Sequence, residues 1–181
     1  MIVLVGASAS GKTEVARTLK NKYGLTKIIT HTTRPMREKE VDGVDYHFVT
    51  VENFLKLKSE NYFVETTEYN GNFYGTSRKE IEDNKVLVVD PNGLHAFVAL
   101  GDPRIVTFFL NAAEPTREKR MLLRGDHPEA IAKRLETDRV DFSYNHVGRT
   151  DFVIDTEKIS VEEVADNIYK LYIGRLATIV Y

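Results

Sequence analysis

Short apolar runs alternate along this chain with segments whose apolar positions recur every three or four residues. The runs at Ile2–Val5, Lys27–Thr30, Val86–Asp90, Ile105–Leu110 and Asp151–Ile154 predict strands. The segments Lys12–Lys22, Asn92–Leu100, Glu114–Leu123, Pro128–Tyr144 and Ser160–Leu171 predict amphipathic helices. Strands and helices taken in turn imply an α/β fold, a parallel sheet flanked by helices on both faces in three layers. The rhythm breaks between His31 and Arg78, a stretch rich in Thr, Tyr, Phe, Gly and charge. Tyr46–Thr50 and Tyr62–Tyr69 are strand-like there, and Asn70-Gly71 is a strong hairpin-turn signal. The stretch therefore predicts a small β-rich lobe inserted into the α/β core. Further on, Arg124-Gly125-Asp126-His127-Pro128 reads as the stop of one helix and the start of the next, with proline at an early helical position.

Length and composition bound the possibilities. A chain of 181 residues suits one domain with a sizeable core. A formal net charge of −2, with charges of both signs well mixed, gives no bulk electrostatic reason to expect nucleic acid or a membrane surface as partner. The absence of cysteine excludes a disulfide framework and thiol chemistry and fits a reducing cytoplasm. The opening apolar run is too short for a signal-peptide core and lacks a basic lead-in, and no stretch approaches transmembrane length. The expectation is a cytoplasmic protein.

The first chemistry-bearing string follows the first strand at once: Gly6-Ala7-Ser8-Ala9-Ser10-Gly11-Lys12-Thr13. A strand before and a helix after are the setting a phosphate-binding P-loop requires. Gly6 and Gly11 permit backbone conformations and close approaches that a side chain would block. The amides of the loop and first helical turn can face phosphate oxygens, aided by the helix dipole. Lys12 supplies positive charge to the outer phosphates, and the Thr13 hydroxyl is placed to ligate Mg²⁺. The predicted ligand is a nucleoside triphosphate.

Within the insertion, Arg34 and Arg37 precede Gly43 and Tyr46. Arginine forks match phosphate oxygens in pairs and a tyrosine hydroxyl can complete the set, so an anion clamp is one reading. The other is a solvated loop in which Arg34 and Arg37 pair with Glu38 and Glu40.

At this point the chain resembles the guanylate kinases, from Met1 to about Leu171. The resemblance rests on Thr32-Thr33-Arg34-Pro35-Met36-Arg37 leading to Gly43-Val44-Asp45-Tyr46-His47-Phe48-Val49, on Phe63-Val64-Glu65 with Gly71-Asn72-Phe73-Tyr74-Gly75-Thr76, and on Arg120-Met121-Leu122-Leu123-Arg124-Gly125 with Arg134-Leu135. It implies transfer of the γ-phosphoryl group of Mg·ATP to GMP and dGMP. It further implies a core of residues 1–30, 79–113 and 148–181, a GMP-binding lobe of about 31–78 and a helical lid of about 114–147. Arg34, Arg37, Tyr46 and Tyr74 match the family's GMP-phosphate ligands. Glu65 and Asp90 match its carboxylates for the guanine donors, with Thr30 and Thr76 its hydroxyls near the base edge. Arg120, Arg124 and Arg134 match arginines of a lid that closes over the triphosphate. Read without the resemblance, those three are solvated helix residues paired with Glu118 and Glu136. The chemistry asks for positioning and charge neutralisation rather than a strong base, because the acceptor is already an anionic phosphate.

The chain departs from the family pattern at four places. Ala9 stands where another glycine is usual, and Met36 where proline or a small residue is usual. Val88 occupies the place of an acid in Val88-Val89-Asp90-Pro91-Asn92-Gly93, which leaves Asp90 facing two tasks, base recognition and metal support. Asp155 replaces a frequent asparagine near the adenine. The five histidines, His31, His47, His95, His127 and His146, show no ligand spacing for zinc. The apolar tail Ala177–Tyr181 fits packing, strand pairing or a partner equally.

Overall fold

The structure, a computed structural model, describes residues 1–38, 40–69 and 71–179. Its larger sheet has five parallel strands in the order β2 (Thr26–Lys27), β7 (Lys85–Val88), β1 (Ile2–Val5), β8 (Val106–Asn111) and β9 (Phe152–Asp155). All four residues of the central strand β1 are fully buried. Its side chains alternate between two apolar layers, as the pleat requires. Ile2 and Leu4 meet Val15 and Leu19 of α1 (Lys12–Tyr23) and Val164, Ile168 and Tyr172 of α7 (Val161–Leu176). Met1, Val3 and Val5 meet Leu94 and Phe97 of α3 (Pro91–Val98) and Val147 of α6 (Tyr144–Val147). A continuously apolar strand thus has helices on both faces, the three-layer arrangement expected for a parallel sheet.

Local chemistry sets several boundaries. Ser160 and Glu163 form a reciprocal capping box at the start of α7, and that helix runs to Leu176, five residues past its predicted end. The predicted strand Lys27–Thr30 is shorter and earlier: β2 ends at Lys27, and Ile28 turns into the core beside β1. The predicted helix Pro128–Tyr144 ends three residues earlier, as α5 (Pro128–Asp141), because Phe142 and Ser143 leave helical geometry before the short, unpredicted α6.

The insertion forms its own four-stranded sheet in the order β4 (His47–Phe48), β3 (His31–Thr32), β6 (Asn72–Ser77) and β5 (Phe63–Tyr69). The short strand β3 and the helix α2 (Val51–Ser59) were not predicted; at α2, Thr50 accepts a cap bond from the Asn53 amide. The predicted strand Tyr46–Thr50 is accordingly only two residues long. Phe54 of α2 is fully buried against Phe63 and Phe73, with ring centroids 4.6 and 5.5 Å away. That packing requires Gly75, since a Cβ there would lie 2.9 Å from Phe63 Cδ1 and 3.0 Å from Phe54 Cζ. Of the predicted hairpin turn, Gly71 has the expected positive φ (70°), while Asn70 lies outside the described residues. Val64 of β5 joins the core layer beneath α3 and so seats the small sheet on the large one.

Candidate active site

The loop after β1 is shaped by contacts that dictate its residues. A Cβ on Gly6 would fall 2.4 Å from the Leu110 carbonyl oxygen and 2.8 Å from Ser10 Oγ, so only glycine fits. Ala9 adopts φ 59° and Gly11 φ 99°, both in left-handed territory. For Ala9 this costs about 1–2 kcal/mol that the usual glycine would escape. Its methyl gains contact with the cluster of Met121, Ile131 and Leu135 in return. Gly11 starts α1 without a side-chain cap, so the amides of the first turn keep no intrahelical acceptor and remain available to an anion. Lys12 Nζ donates to the carbonyls of Gly6 and Ala7 at 2.5 and 2.8 Å. Burial lowers its pKa to about 8, while the nearby Asp138 carboxylate acts in the opposite direction.

A cleft of about 600 Å³ opens on this loop. Residues Ala9 to Val15 line it together with Arg120, Arg124, Thr156 and the start of α7. The volume suits a nucleotide. Arg120 donates to Ala9 O at 3.2 Å, Thr156 Oγ1 at 3.2 Å and Thr156 O at 2.7 Å, bridging the loop to the end of β9. Arg124 and Arg134 both pair with Asp126 in the turn between α4 (Glu114–Leu123) and α5, rather than with Glu118 or Glu136. Asp155 accepts from the Glu157 amide at 2.8 Å, a turn contact.

The second cluster lies on the small sheet. Thr76 Oγ1 donates to Glu65 Oε1 at 2.6 Å, from directly paired positions of β6 and β5. Tyr74, two residues before Thr76, lies on the same strand face about 7 Å along. Its ring is 6.1 Å from that of Tyr46, and the Arg34 guanidinium lies 5.4 Å above Tyr46. Arg34 Nη2 is paired with Glu40 at 2.6 Å, and Glu40 also accepts from the Arg37 backbone amide at 2.8 Å. The loop thus adopts half of the ion-pair alternative, with Glu40 lying where two donors converge. Gly43 (φ 75°) and bonds from Phe48 N to Asp42 and from Val41 N to Asp45 fix the turn that presents Tyr46. The side chain of Arg37 is exposed. Thr30 is half-buried, and continuing the β3–β6 register sets it across from Thr76.

Asp90 and Val88 sit at the carboxyl end of the large sheet, where ligands bind in open α/β folds. Asp90 caps α3, with Oδ1 accepting from the Gly93 amide at 2.8 Å. Val88 is 39% exposed and its side chain offers no oxygen. The side-chain oxygens here that could meet a divalent metal are the exposed Thr13 hydroxyl and the Asp90 carboxylate. Among the described residues no group of three or more acidic or histidine side chains is arranged to hold a metal by itself, a donor set that fits an ion bound mainly through phosphates and water. Arg117 and Asp138, which the sequence reading did not select, form a buried ion pair directly behind the loop, 2.7 Å apart. Their helical spacing on the apolar faces of α4 and α5 was the signal available.

The family model described as guanylate kinase matches residues 1–171. A guanylate kinase of Anaplasma phagocytophilum is 36% identical over 178 residues, covering 93% of this chain and 83% of the relative. One of Schizosaccharomyces pombe is 34% identical over 153 residues, covering 80% and 76%. The crystal structure of the Anaplasma phagocytophilum guanylate kinase superposes with a TM-score of 0.64 at 30% identity, over 96% of this chain and 84% of that one. A crystal structure of an uncharacterized protein from Eubacterium ventriosum shares the fold, with a TM-score of 0.54 at 17% identity.

Proposed function

We propose, from the premise that this chain belongs to the guanylate kinase family, that it transfers the γ-phosphoryl group of ATP to GMP and dGMP. The observation that carries the acceptor is the single face of β6 on which Thr76, bonded to Glu65, lies two residues from Tyr74 and its arginine–tyrosine cluster. A base-reading carboxylate and an anion clamp about 7 Å apart match the two ends of a nucleoside monophosphate.

Guanine presents N–H donors at N1 and N2 and an acceptor at O6. Glu65 and Asp90 accept from the donors, and Thr76 and Thr30 serve the rest of the base edge. Adenine would leave these polar groups unpaired, which is the source of selectivity. The GMP phosphate takes the place of Glu40 on Arg34 and the Arg37 amide, with Tyr46 and Tyr74 completing the clamp. On the donor side, Lys12 and the amides of the loop from Gly6 to Thr13, other than those of Ser8 and Ser10 that already meet Asp138 and the Ala7 carbonyl, hold the phosphates. The Thr13 hydroxyl would hold Mg²⁺ together with the nucleotide, and the ion would supply neutralisation of phosphate charge. Arg120, Arg124 and Arg134 neutralise charge on the migrating group, Arg124 and Arg134 exchanging Asp126 for phosphate oxygens. In this division of labour residues 1–30, 79–113 and 148–181 bind ATP, 31–78 bind GMP and 114–147 cover the triphosphate. The reaction belongs to the cytoplasm, in keeping with a chain that has no cysteine and, among the described residues, no helix long and apolar enough to cross a membrane.

Glu65→Gln tests the reading. Calorimetric titration should show the Kd for GMP rising about tenfold or more while that for Mg·ATP stays constant, because an amide nitrogen now opposes guanine donors. An unchanged GMP affinity would remove Glu65 from the base site.

A further inference from the structure

Two helices near the cleft carry a charge where their apolar stripe calls for a hydrophobic side chain. Arg117 shares the inner face of α4 with Met121, and Asp138 follows Ile131 and Leu135 on the inner face of α5. Met121, Ile131 and Leu135 form a small apolar cluster there. The Arg117 and Asp138 side chains are 8% and 6% exposed. Withdrawing two such charges from water costs several kcal/mol each, and a well-packed apolar pair would serve stability as well or better. Their bonds show a different purpose.

Those bonds converge on one residue of the nucleotide loop. Asp138 Oδ2 accepts from the Ser8 amide at 3.0 Å, and Oδ1 accepts from Ser8 Oγ at 3.2 Å. Arg117 Nη1 donates to the Ser8 carbonyl at 3.4 Å as well as to Asp138, and its Nε donates to Ala112 O at 3.2 Å. The peptide planes on both sides of Ser8 are therefore fixed. In the plane before Ser8, the amide points at Asp138 and the Ala7 carbonyl faces Lys12. In the plane after Ser8, the carbonyl points at Arg117, so the trans-related Ala9 N–H is turned away from α4.

We propose that Asp138, held by Arg117, is a positioning residue for the nucleotide loop: it locks the Ser8 peptides so that the loop stands in its phosphate-accepting shape before ATP arrives. The proposal rests on the reading of this loop as the ATP site. Pre-organisation of this kind raises affinity by removing the ordering cost from the binding step. It also ties the start of α4 and the last turns of α5 to the loop, so that the outward turn carrying Arg124 and Asp126 is the part left to move.

The test compares the wild type with Asp138→Asn and with the double variant Arg117→Met/Asp138→Leu. Three quantities are read: melting temperature, Kd for Mg·ATP by calorimetry, and hydrogen exchange of the Ser8 amide in the ligand-free protein. The double variant should keep the wild-type melting temperature within a few degrees, yet bind Mg·ATP about tenfold more weakly and exchange Ser8 at least about tenfold faster. Asp138→Asn should show both losses even where the double variant folds poorly. Wild-type Ser8 protection and Mg·ATP affinity in a folded variant would overturn the proposal and make the pair structural only. A wild-type protein with no affinity for Mg·ATP would instead defeat the functional reading, and the Ser8 exchange would still decide whether Asp138 positions the loop.

Discussion

Lys12 is a cation held in a half-buried loop by two carbonyls, and its proton is correspondingly loose. Its pKa is about 8 in the fold against 10.5 in water, with burial the largest cause. Below pH 8 both the folded and the unfolded chain carry the proton, and the fold bears the cost of the buried cation. Between pH 8 and 10.5 the folded chain releases it while the unfolded chain keeps it, so this cost is relieved as pH rises. A bound triphosphate reverses the situation by stabilising the ammonium. ATP binding should therefore take up almost no proton near pH 6.5 and approach one proton near pH 9, with affinity falling up to about tenfold per pH unit above 8. Calorimetry in two buffers of different ionisation enthalpy measures the uptake, and Lys12→Met should abolish it. Binding without proton uptake at pH 9 would show either that Lys12 keeps its proton in the free protein or that it does not meet the phosphates, and an unchanged ATP affinity in Lys12→Met would single out the latter. Ala9 illustrates a second local trade. It accepts a left-handed backbone and packs its methyl on the α4–α5 cluster, a contact that glycine could not make.

At the scale of elements, the β5–β6 hairpin does most to shape the acceptor site. Glu65 and Thr76 are eleven residues apart in sequence and adjacent only because the hairpin pairs them. The pairing depends in turn on Gly75, over which Phe54 and Phe63 pack. Gly75→Ala should destabilise the protein by about 1–3 kcal/mol through overpacking. It should also weaken GMP more than Mg·ATP, because Tyr74 and Thr76 flank the displaced backbone. Chemical denaturation and paired titrations measure this, and equal loss of both ligands would contradict it. The P-loop was legible in the sequence because its glycine spacing is a local constraint, and the hairpin because turn and alternation are local too. Helix α2 was not, since Val51–Ser59 follows a strand-like run in a β-rich context and only Thr50 marks its start. Arg117 and Asp138 escaped notice for a related reason. Charges on helices usually face water, and only the packing of α4 on α5 shows that these two point inward.

At the scale of the molecule, a parallel sheet presents its carboxyl edge to two substrates. The P-loop follows β1 at the centre of that edge, Val88 and Asp90 follow from β7 beside it, and the small sheet is anchored next to α3 through Val64. The alternation of apolar strands and amphipathic helices was enough to anticipate this layering. The order of strands was not, because β2-β7-β1-β8-β9 pairs segments as far apart in the chain as Ile2 and Val106, which leaves no local mark. The substrate pair is the central claim for the whole chain. The most direct test is a coupled assay of ADP release from Mg·ATP with GMP, dGMP, AMP, CMP and UMP offered in parallel. Turnover confined to GMP and dGMP is the expected result, and it would show that Val88 is tolerated in place of an acid. Turnover with another monophosphate, or none despite tight binding of ATP, would contradict the assignment of Glu65, Thr76 and Asp90 to guanine.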